Sequence, residues 1–284
     1  MTAHILDGRA LARTLREELR AEVQAYTAAT AITPTLAVVQ VAGDPAADRY
    51  VRAIRKSCEE AGIACTAHVL AVDAGQAALE AQVEQLSQDR NIHGIIIQMP
   101  LPVGLDPQPV IAKLDPAKDV DGVHPTSAGR LAQGLPCFVP NTPAGGLELL
   151  RRNGIAIAGK RAVVVGRSNI VGKPMAMLLL AENATVIIAH SRTPDLAAVV
   201  READIVAAAV GRANLIDGAM LKPGAVVVDF GINVLDDGAL AGDVHFESAA
   251  EVASAITPVP GGTGPMTNVM LMRNVLRAAR EQNG

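Results

Sequence analysis

The chain has 284 residues, half of them apolar, with a formal net charge of −4 and an aromatic content of 2%. Its length favours two domains with substantial cores, whereas the negative charge and the scarcity of aromatic rings argue against nucleic acid as a partner. The spacing of the three cysteines predicts neither a disulfide framework nor a metal site, and the lack of signal-peptide and membrane-spanning patterns favours a cytoplasmic protein without a membrane partner.

Amphipathic stretches and short apolar runs alternate along the first half of the chain. The predicted helices cover residues 10–28, 44–63 and 76–88. The predicted strands cover residues 36–41, 65–70 and 94–99. This alternation is typical of an α/β protein with mostly parallel sheets.

The middle of the chain, residues 114–146, is dense in Pro, Gly and Asp and is long for a connection, so we interpret it as an ordered functional segment. Four strongly apolar strands are predicted after it, over residues 162–166, 185–190, 205–211 and 226–231. A final amphipathic helix follows a Gly/Pro cluster and is expected to return to the first domain. The predicted domains are therefore residues 1–139 plus 266–284, and a dinucleotide-binding domain over residues 140–265.

The sharpest generic motif is "AVVVGRSNIVGKP", in which a predicted strand leads through Gly166, Ser168 and Gly172 to a helix start at Pro174. A strand-to-helix turn of this kind directs backbone N–H groups and the helix dipole at a phosphate. Ser168 occupies the place of the middle glycine in the usual dinucleotide pattern. The motif alone is compatible with a dinucleotide site and with an ordinary tight turn.

The residues after the next strand, "AHSRT", favour NADP over NAD as the cofactor. An NAD site usually places an acidic residue there against the ribose 2′-hydroxyl group. This chain instead has Arg192 there, with Arg167 in the preceding turn, and cationic side chains tolerate a 2′-phosphate. The alternative is that both arginines are simply exposed.

Two polar residues in the first half are candidates for substrate binding. Gln98 ends the apolar run "GIIIQMPLP", where open α/β sheets collect ligand contacts, although a glutamine there can also cap a loop. Asp121 lies in "KDVDGVHP", which is either a polar turn or a place where a carboxylate accepts paired hydrogen bonds from a planar heterocycle.

Taken in order, "DPAADRYV", "GIIIQMPLP", "KDVDGVHP", "VVVGRSNIVGKP", "AHSRT", "VVVDFGIN" and "TPVPGGTGPMT" resemble the bifunctional methylenetetrahydrofolate dehydrogenase/cyclohydrolase family over nearly the entire chain. The resemblance implies an α/β fold in which an N-terminal substrate domain faces a Rossmann-type NADP domain across a cleft. It also implies a homodimer, NADP as cofactor and one-carbon derivatives of tetrahydrofolate as substrates.

The resemblance also implies roles for individual residues. Tyr50, Gln98 and Asp121 match the family's catalytic and folate-binding positions. Positions in the loop closing over the substrate are matched by Pro260, Gly261 and Gly262. The cofactor-binding positions are matched by Gly166, Arg167, Ser168, Gly172, Ser191 and Ile232.

One departure from the family bears directly on chemistry. The family pattern Y-V-x-x-K places a lysine four residues after the tyrosine and assigns it to the cyclohydrolase step, but this chain has Ile54 there. At about 100° per residue, Ile54 lies on the face of Tyr50, while Arg52 and Lys56 point roughly away from it. Because isoleucine neither donates nor accepts a proton, we predict that hydride transfer survives and that cyclohydrolase activity is weak or absent. Milder departures are Ala47, Ser127 and Asn141.

Three alternatives remain open at this point. The first is a fully bifunctional enzyme in which another group replaces the lysine. The second is a non-catalytic folate- or nucleotide-binding protein. The third is an NADP dehydrogenase for another small substrate, as in shikimate-type enzymes.

Overall fold

The computed structural model describes residues 3–284, and within them helices and strands alternate along the chain. The helices are α1 (Gly8–Thr30), α2 (Pro45–Ala61), α3 (Gly75–Gln88), α4 (Pro107–Ala112), α5 (Pro125–Ala132), α6 (Asn141–Arg152), α7 (Gly172–Ala181), α8 (Leu196–Arg201), α9 (Phe246–Val252) and α10 (Thr263–Asn283). The strands are β1 (His4–Ile5), β2 (Thr35–Val41), β3 (Ala64–Leu70), β4 (Gly94–Ile97), β5 (Arg161–Val165), β6 (Thr185–Ala189), β7 (Ile205–Ala208), β8 (Val226–Asp229), β9 (Asn233–Val234), β10 (Leu240–Ala241) and β11 (Ala255–Ile256).

The chain divides into two compact units, which we call the Rossmann-type unit and the N-terminal unit. The Rossmann-type unit comprises residues 3–13 and Pro140–Thr267, and the N-terminal unit comprises Thr14–Val139 and Asn268–Gly284. The sequence-based boundary differs at the start of the chain, because residues 3–13 were assigned to the N-terminal domain. The physical reason is strand pairing: β1 pairs in parallel with β11, so it completes the sheet of the Rossmann-type unit.

The Rossmann-type unit is built on a six-stranded parallel sheet with the strand order β1-β11-β8-β7-β5-β6. Strands β5, β7 and β8 are central and consist almost wholly of buried Ala, Val and Ile, as expected for parallel strands covered on both faces. The strand order reverses direction at β5, which has β6 on one side and β7 on the other. In open α/β sheets a ligand lies outside the carboxyl ends of the strands at such a switch point.

The N-terminal unit contains a three-stranded parallel sheet with the order β3-β2-β4. Alternate residues of β2 face two different cores. Leu36 and Val38 join a cluster that includes residues of α1, α2 and α10, while Ala37 and Val39 join a cluster with α3 and α4. This period of two places the sheet between helical layers, and the parallel pairing of β2 and β4 brings their carboxyl ends to one edge.

The predicted α/β class, with an N-terminal part and a C-terminal Rossmann-type part, is confirmed by these sheets. Among the helices of residues 3–284, none combines the length and apolar character that crossing a membrane requires. Over the same residues, no group of three or more His, Cys, Asp or Glu side chains is arranged to hold a metal ion.

Candidate active site

The turn between β5 and α7 has the geometry of a phosphate cradle. Gly166 directly follows β5 and has φ 127°, and a Cβ atom at this position would lie 2.0 Å from the carbonyl oxygen of Ala209. Ser168 holds the turn that leads into α7, since its Oγ accepts hydrogen bonds from the N–H groups of Val171 at 3.1 Å and Gly172 at 3.3 Å. The Ser168 hydroxyl still has its own proton to donate to a phosphate oxygen. These residues therefore fit the pyrophosphate of a dinucleotide.

The carboxyl end of β6 lies beside this turn. The N–H group of Gly166 donates to the carbonyl oxygen of Ala189 at 2.9 Å, which joins the ends of the two strands. Ser191 and Arg192 follow Ala189 and are exposed, as is Arg167 on the neighbouring turn. The end of β6 therefore presents a hydroxyl and a guanidinium group, and no carboxylate, where the ribose of a dinucleotide is expected.

A second part of the site is the loop over Pro260, Gly261 and Gly262. These residues line a cavity of about 120 Å³ together with Ile232, which is 63% exposed. The backbone of the loop is fixed from two sides: the N–H group of Arg9 donates to the carbonyl oxygen of Gly261 at 3.1 Å, and Gly262 donates to Pro258 at 2.8 Å. The structure thus brings the predicted cofactor residue Ile232 together with the predicted substrate loop.

Tyr50 and Asp121 form the corresponding pair in the N-terminal unit. Tyr50 lies on α2, whose first turn is capped by the Asp44 carboxylate at Ala46 N–H, and its side chain is 38% exposed. Burial of the phenol, with the nearby negative charge of Asp121, raises the pKa of Tyr50 to about 12. Tyr50 is therefore a neutral, partly exposed hydrogen-bond donor throughout the ordinary pH range.

The loop that carries Asp121 is organised by a carboxylate that sequence reasoning missed. Asp119 is fully buried and accepts hydrogen bonds from Val123 N–H at 3.0 Å, His124 N–H at 2.9 Å and Ser127 Oγ at 2.6 Å. Burial raises its pKa to about 6, against the opposing effect of these hydrogen bonds. Ser127, noted as a departure from the family, is therefore one of the groups that hold this turn. The alternating pattern of Asp119 and Asp121 was the available signal.

Gln98 follows β4 directly, as predicted. Its backbone N–H donates to Val39 at 2.8 Å, and its side-chain Nε2 donates to the carbonyl oxygen of Met99 at 2.9 Å. The side-chain carbonyl oxygen is thereby oriented by a neighbouring backbone group at the edge of the sheet where ligand contacts are expected.

Ile54 lies in the core. Its side chain is fully buried and packs in the cluster that includes Val51, Cys58 and Met272. Helical spacing predicts that Ile54 and Tyr50 lie on the same face of α2, but it does not predict how deeply each side chain is buried. Ile54 is fully buried, whereas Tyr50 is partly exposed. An isoleucine packs in this apolar cluster without needing a polar partner, and it has no group that can transfer a proton.

The cations of α2 on either side of Ile54 are exposed to solvent, and Lys118, in the loop before Asp121, is engaged elsewhere. Lys56 is 77% exposed and pairs with Glu60, and Arg52 and Arg55 are exposed. Lys118 is buried, but its Nζ donates to the carbonyl oxygens of Leu86 and Asp89 at 3.2 and 2.6 Å.

Comparison with known proteins agrees with this geometry in both units. The catalytic domain of tetrahydrofolate dehydrogenase/cyclohydrolase matches residues 6–121, and the NAD(P)-binding domain of the same family matches residues 140–283. A relative from Roseiflexus sp. strain RS-1, named bifunctional protein FolD, is 67% identical over 99% of this chain and 98% of that protein.

Solved structures give the same result. The bifunctional enzyme FolD from Campylobacter jejuni has a TM-score of 0.96 at 42% identity and covers 98% of this chain and 99% of that one. FolD from Trypanosoma brucei, crystallised with NADP cofactor and an inhibitor, has a TM-score of 0.93 at 37% identity and covers 99% and 98%. The resemblance inferred from the motifs is confirmed, and the chain belongs to the tetrahydrofolate dehydrogenase/cyclohydrolase family.

Proposed function

We propose that the protein is an NADP-dependent 5,10-methylenetetrahydrofolate dehydrogenase of one-carbon metabolism, with cyclohydrolase activity weak or lost. NADP, when bound, accepts a hydride from the one-carbon bridge of the folate, and 5,10-methenyltetrahydrofolate is the product. Hydride transfer needs no strong protein base, so the protein contributes mainly positioning. A cytoplasmic location stays a prediction.

The observation that supports the dehydrogenase is the turn from Gly166 to Gly172 within the family's NAD(P)-binding domain. In this proposal Ser168 and the start of α7 hold the pyrophosphate, and Arg167 and Ser191 receive the 2′-phosphate end. Ile232 borders the dinucleotide on the side of the Pro260–Gly262 loop.

For the folate, we propose that Asp121 accepts hydrogen bonds from the pterin ring and that Tyr50 packs beside the aromatic part of the substrate. The neutral phenol of Tyr50 suits this role because it adds no negative charge near Asp121. Gln98, oriented by Met99, supplies an amide oxygen at the edge of the sheet.

Loss of the cyclohydrolase step rests on Ile54. In that step water attacks the methenyl carbon and one C–N bond opens, so acid–base assistance is valuable. Ile54 provides none, and its side chain is fully buried in an apolar cluster. The alternative is a fully bifunctional enzyme, and the 67% identical relative carries the name bifunctional protein FolD. A shikimate-type substrate is not supported, because the chain belongs to the folate family.

A paired assay tests the proposal. NADP reduction with 5,10-methylenetetrahydrofolate, and with NAD offered separately, measures the dehydrogenase, and loss of added 5,10-methenyltetrahydrofolate measures hydrolysis. We expect reduction of NADP and hydrolysis no faster than in buffer. Hydrolysis that keeps pace with hydride transfer would establish the bifunctional alternative, and ligand binding without either reaction would indicate a non-catalytic homologue.

Ile54→Lys tests the cause of the loss. Because Ile54 is fully buried, we expect the lysine to lower stability, by several kcal/mol where its ammonium group stays in the core, and to restore hydrolysis where it reaches the substrate. Ala53→Lys, at the exposed neighbouring position, is the matched control. Gain of hydrolysis in Ile54→Lys alone supports the proposal, and no gain shows that the missing lysine is not the only defect.

We also propose a homodimer. The support within one chain is β6, which lies at an edge of the six-stranded sheet and exposes Ile187 and Ile188, each by 37%. An uncovered apolar edge strand is a template for pairing with a second chain.

A further inference from the structure

Asp243 is a fully buried carboxylate that no catalytic or binding assignment uses. Its Oδ2 accepts hydrogen bonds from the N–H groups of Val210 at 2.6 Å and Gly211 at 3.0 Å. Its Oδ1 accepts from Arg212 N–H at 2.9 Å and from Asn233 Nδ2 at 3.0 Å. One side chain thus satisfies three successive backbone donors of the loop after β7 and one side chain of another segment.

The first of these segments borders the switch point of the sheet, and the second borders the cavity at the Pro260–Gly262 loop. The loop begins at Ala209, whose carbonyl oxygen leaves room only for a glycine at position 166, so the loop packs directly against the phosphate-binding turn. Asn233 directly follows Ile232, which lines the cavity with the Pro260–Gly262 loop. The Asp243 carboxylate therefore ties the wall beside the turn to the segment that carries Ile232.

A second buried carboxylate fixes Asp243 itself. Asp229, at the end of β8, accepts from Asp243 N–H at 3.1 Å and from Val244 N–H at 2.9 Å. A Cβ atom on Gly242 would lie 2.0 Å from Asp229 Oδ2. Because these contacts with Asp229 fix the backbone of residues 242–244, they also fix the position from which the Asp243 side chain extends.

We propose that Asp243 is a positioning residue for the dinucleotide. It holds the loop over Val210, Gly211 and Arg212 in the conformation that receives the nicotinamide half. Strands β7 and β8 lie on the side of β5 away from β6, whose end is expected to take the ribose of the adenosine half. Asp243 acts through the loop and touches no reacting atom. This inference rests on the proposed dehydrogenase function.

Asp243→Asn tests the inference with almost no change of shape. Each oxygen of the Asp243 carboxylate accepts two hydrogen bonds. An asparagine has only one acceptor oxygen and places a donor NH₂ group where the other oxygen was. Two of the four N–H donors therefore lose their acceptor and face another donor. Unpaired buried N–H groups drive the loop out of place. We expect the dissociation constant for NADP, and its KM, to rise about tenfold or more, while the KM for the folate substrate stays within about twofold of the value for the unaltered protein.

Asp204→Asn is the matched control. Asp204 precedes the same strand β7 at its other end, where it accepts from Arg161 N–H at 2.9 Å and Lys222 Nζ at 2.6 Å. We expect this variant to bind NADP normally, even with a comparable loss of thermal stability. Equal weakening of NADP binding in both variants would overturn the inference, because it would indicate general destabilisation.

NADP binding is measured by titration calorimetry on the full chain, with steady-state kinetics alongside. Normal NADP affinity in folded Asp243→Asn would overturn the inference. Where that variant is not recovered folded, Asn233→Ala carries the test. It keeps the carboxylate and removes the side-chain NH₂ group that donates to Asp243 and also to the carbonyl oxygen of Ala241 at 3.3 Å. We expect a rise of about two- to tenfold in the dissociation constant, the usual range for the loss of a hydrogen bond. An unchanged constant there contradicts the inference. Failure of the unaltered protein to bind NADP would instead overturn the proposed function.

Discussion

At the scale of single residues, Tyr50 is a phenol held neutral by its surroundings. Burial is the larger cause of its raised pKa and the charge of Asp121 is the smaller. Both act in the same direction, because a phenolate loses hydration when buried and is repelled by a carboxylate. The position therefore favours packing and hydrogen-bond donation over proton abstraction.

The ionisation of Tyr50 can be measured directly because the chain has only two tyrosines. In a Tyr26→Phe background, which removes only the hydrogen bond from Tyr26 to the carbonyl oxygen of Ala279, absorbance at 295 nm reports Tyr50 alone. At pH 10.5 an ordinary tyrosine is about three-quarters ionised. We expect Tyr50 to be almost wholly protonated there, since its pKa is about 12.

Adding Asp121→Asn to the same background separates the two causes. The pKa of Tyr50 should fall only part of the way toward 10, because burial remains. An ordinary titration in the Tyr26→Phe protein, while circular dichroism shows it folded, would contradict this account of the site.

At the scale of elements, the turn that leads into α5 is held by Asp119, and this makes part of the protein's stability depend on pH. Burial raises the pKa of Asp119 to about 6 from its ordinary 3.8, so the folded state binds the proton more tightly than the unfolded state. The stabilisation is fully present below about pH 4 and is lost as the pH rises through about 6.

We therefore expect Asp119 to remove about 1 kcal/mol from the free energy of unfolding between pH 5 and pH 7. Urea titrations at the two pH values measure this difference, and Asp119→Asn should reduce it by that amount. Burial also raises the pKa of Asp229 to about 6. Asp229 is present in both proteins, so it should contribute a similar pH dependence of stability to each.

Ser127→Ala is the companion variant. The Ser127 hydroxyl lowers the pKa of Asp119, so its removal should shift the pH-dependent range upward. A difference between pH 5 and pH 7 that is identical in the unaltered protein and Asp119→Asn would show that this carboxyl group does not titrate as described.

The elements themselves were largely predictable, because apolar runs of four or more residues report buried parallel strands directly. Strands such as β4 and β8 lie within the predicted residues 94–99 and 226–231, and each ends two residues before the predicted end. By contrast, β1 and β11 have two residues each, too few to show a period. Their pairing moves the first residues of the chain into the Rossmann-type unit, which no local pattern indicates.

At the site, too, the sequence predicted only those residues that a local motif carries. Tyr50 and Asp121 were found through motifs, but the burial of Ile54 depends on Met272 and its neighbours in α10, more than two hundred residues along the chain. Local sequence does not distinguish Asp119 and Asp243 from other carboxylates in loops. Their importance arises from backbone N–H groups that only the folded chain brings to them.

At the scale of the whole molecule, the open edge at β6 predicts self-association. Ile187 and Ile188 are neighbours on this edge strand and project to opposite faces of the sheet, yet both are 37% exposed. In a monomer these side chains and the unpaired backbone groups of β6 would face water. Pairing with β6 of a second copy would extend the sheet across a two-fold axis and cover both.

Replacing both isoleucines tests this prediction, because lysines on an edge strand oppose pairing through charge repulsion. By light scattering after size-exclusion chromatography, we expect the unaltered protein at twice its chain mass of 29.4 kDa and the Ile187→Lys, Ile188→Lys variant at the mass of one chain. Val234→Lys, which adds a lysine at a 73% exposed position on β9, is the control and should remain dimeric. An unaltered protein of single-chain mass would exclude the dimer. A dimer that survives both lysines would place the interface away from β6, on a surface that the edge strand does not reach.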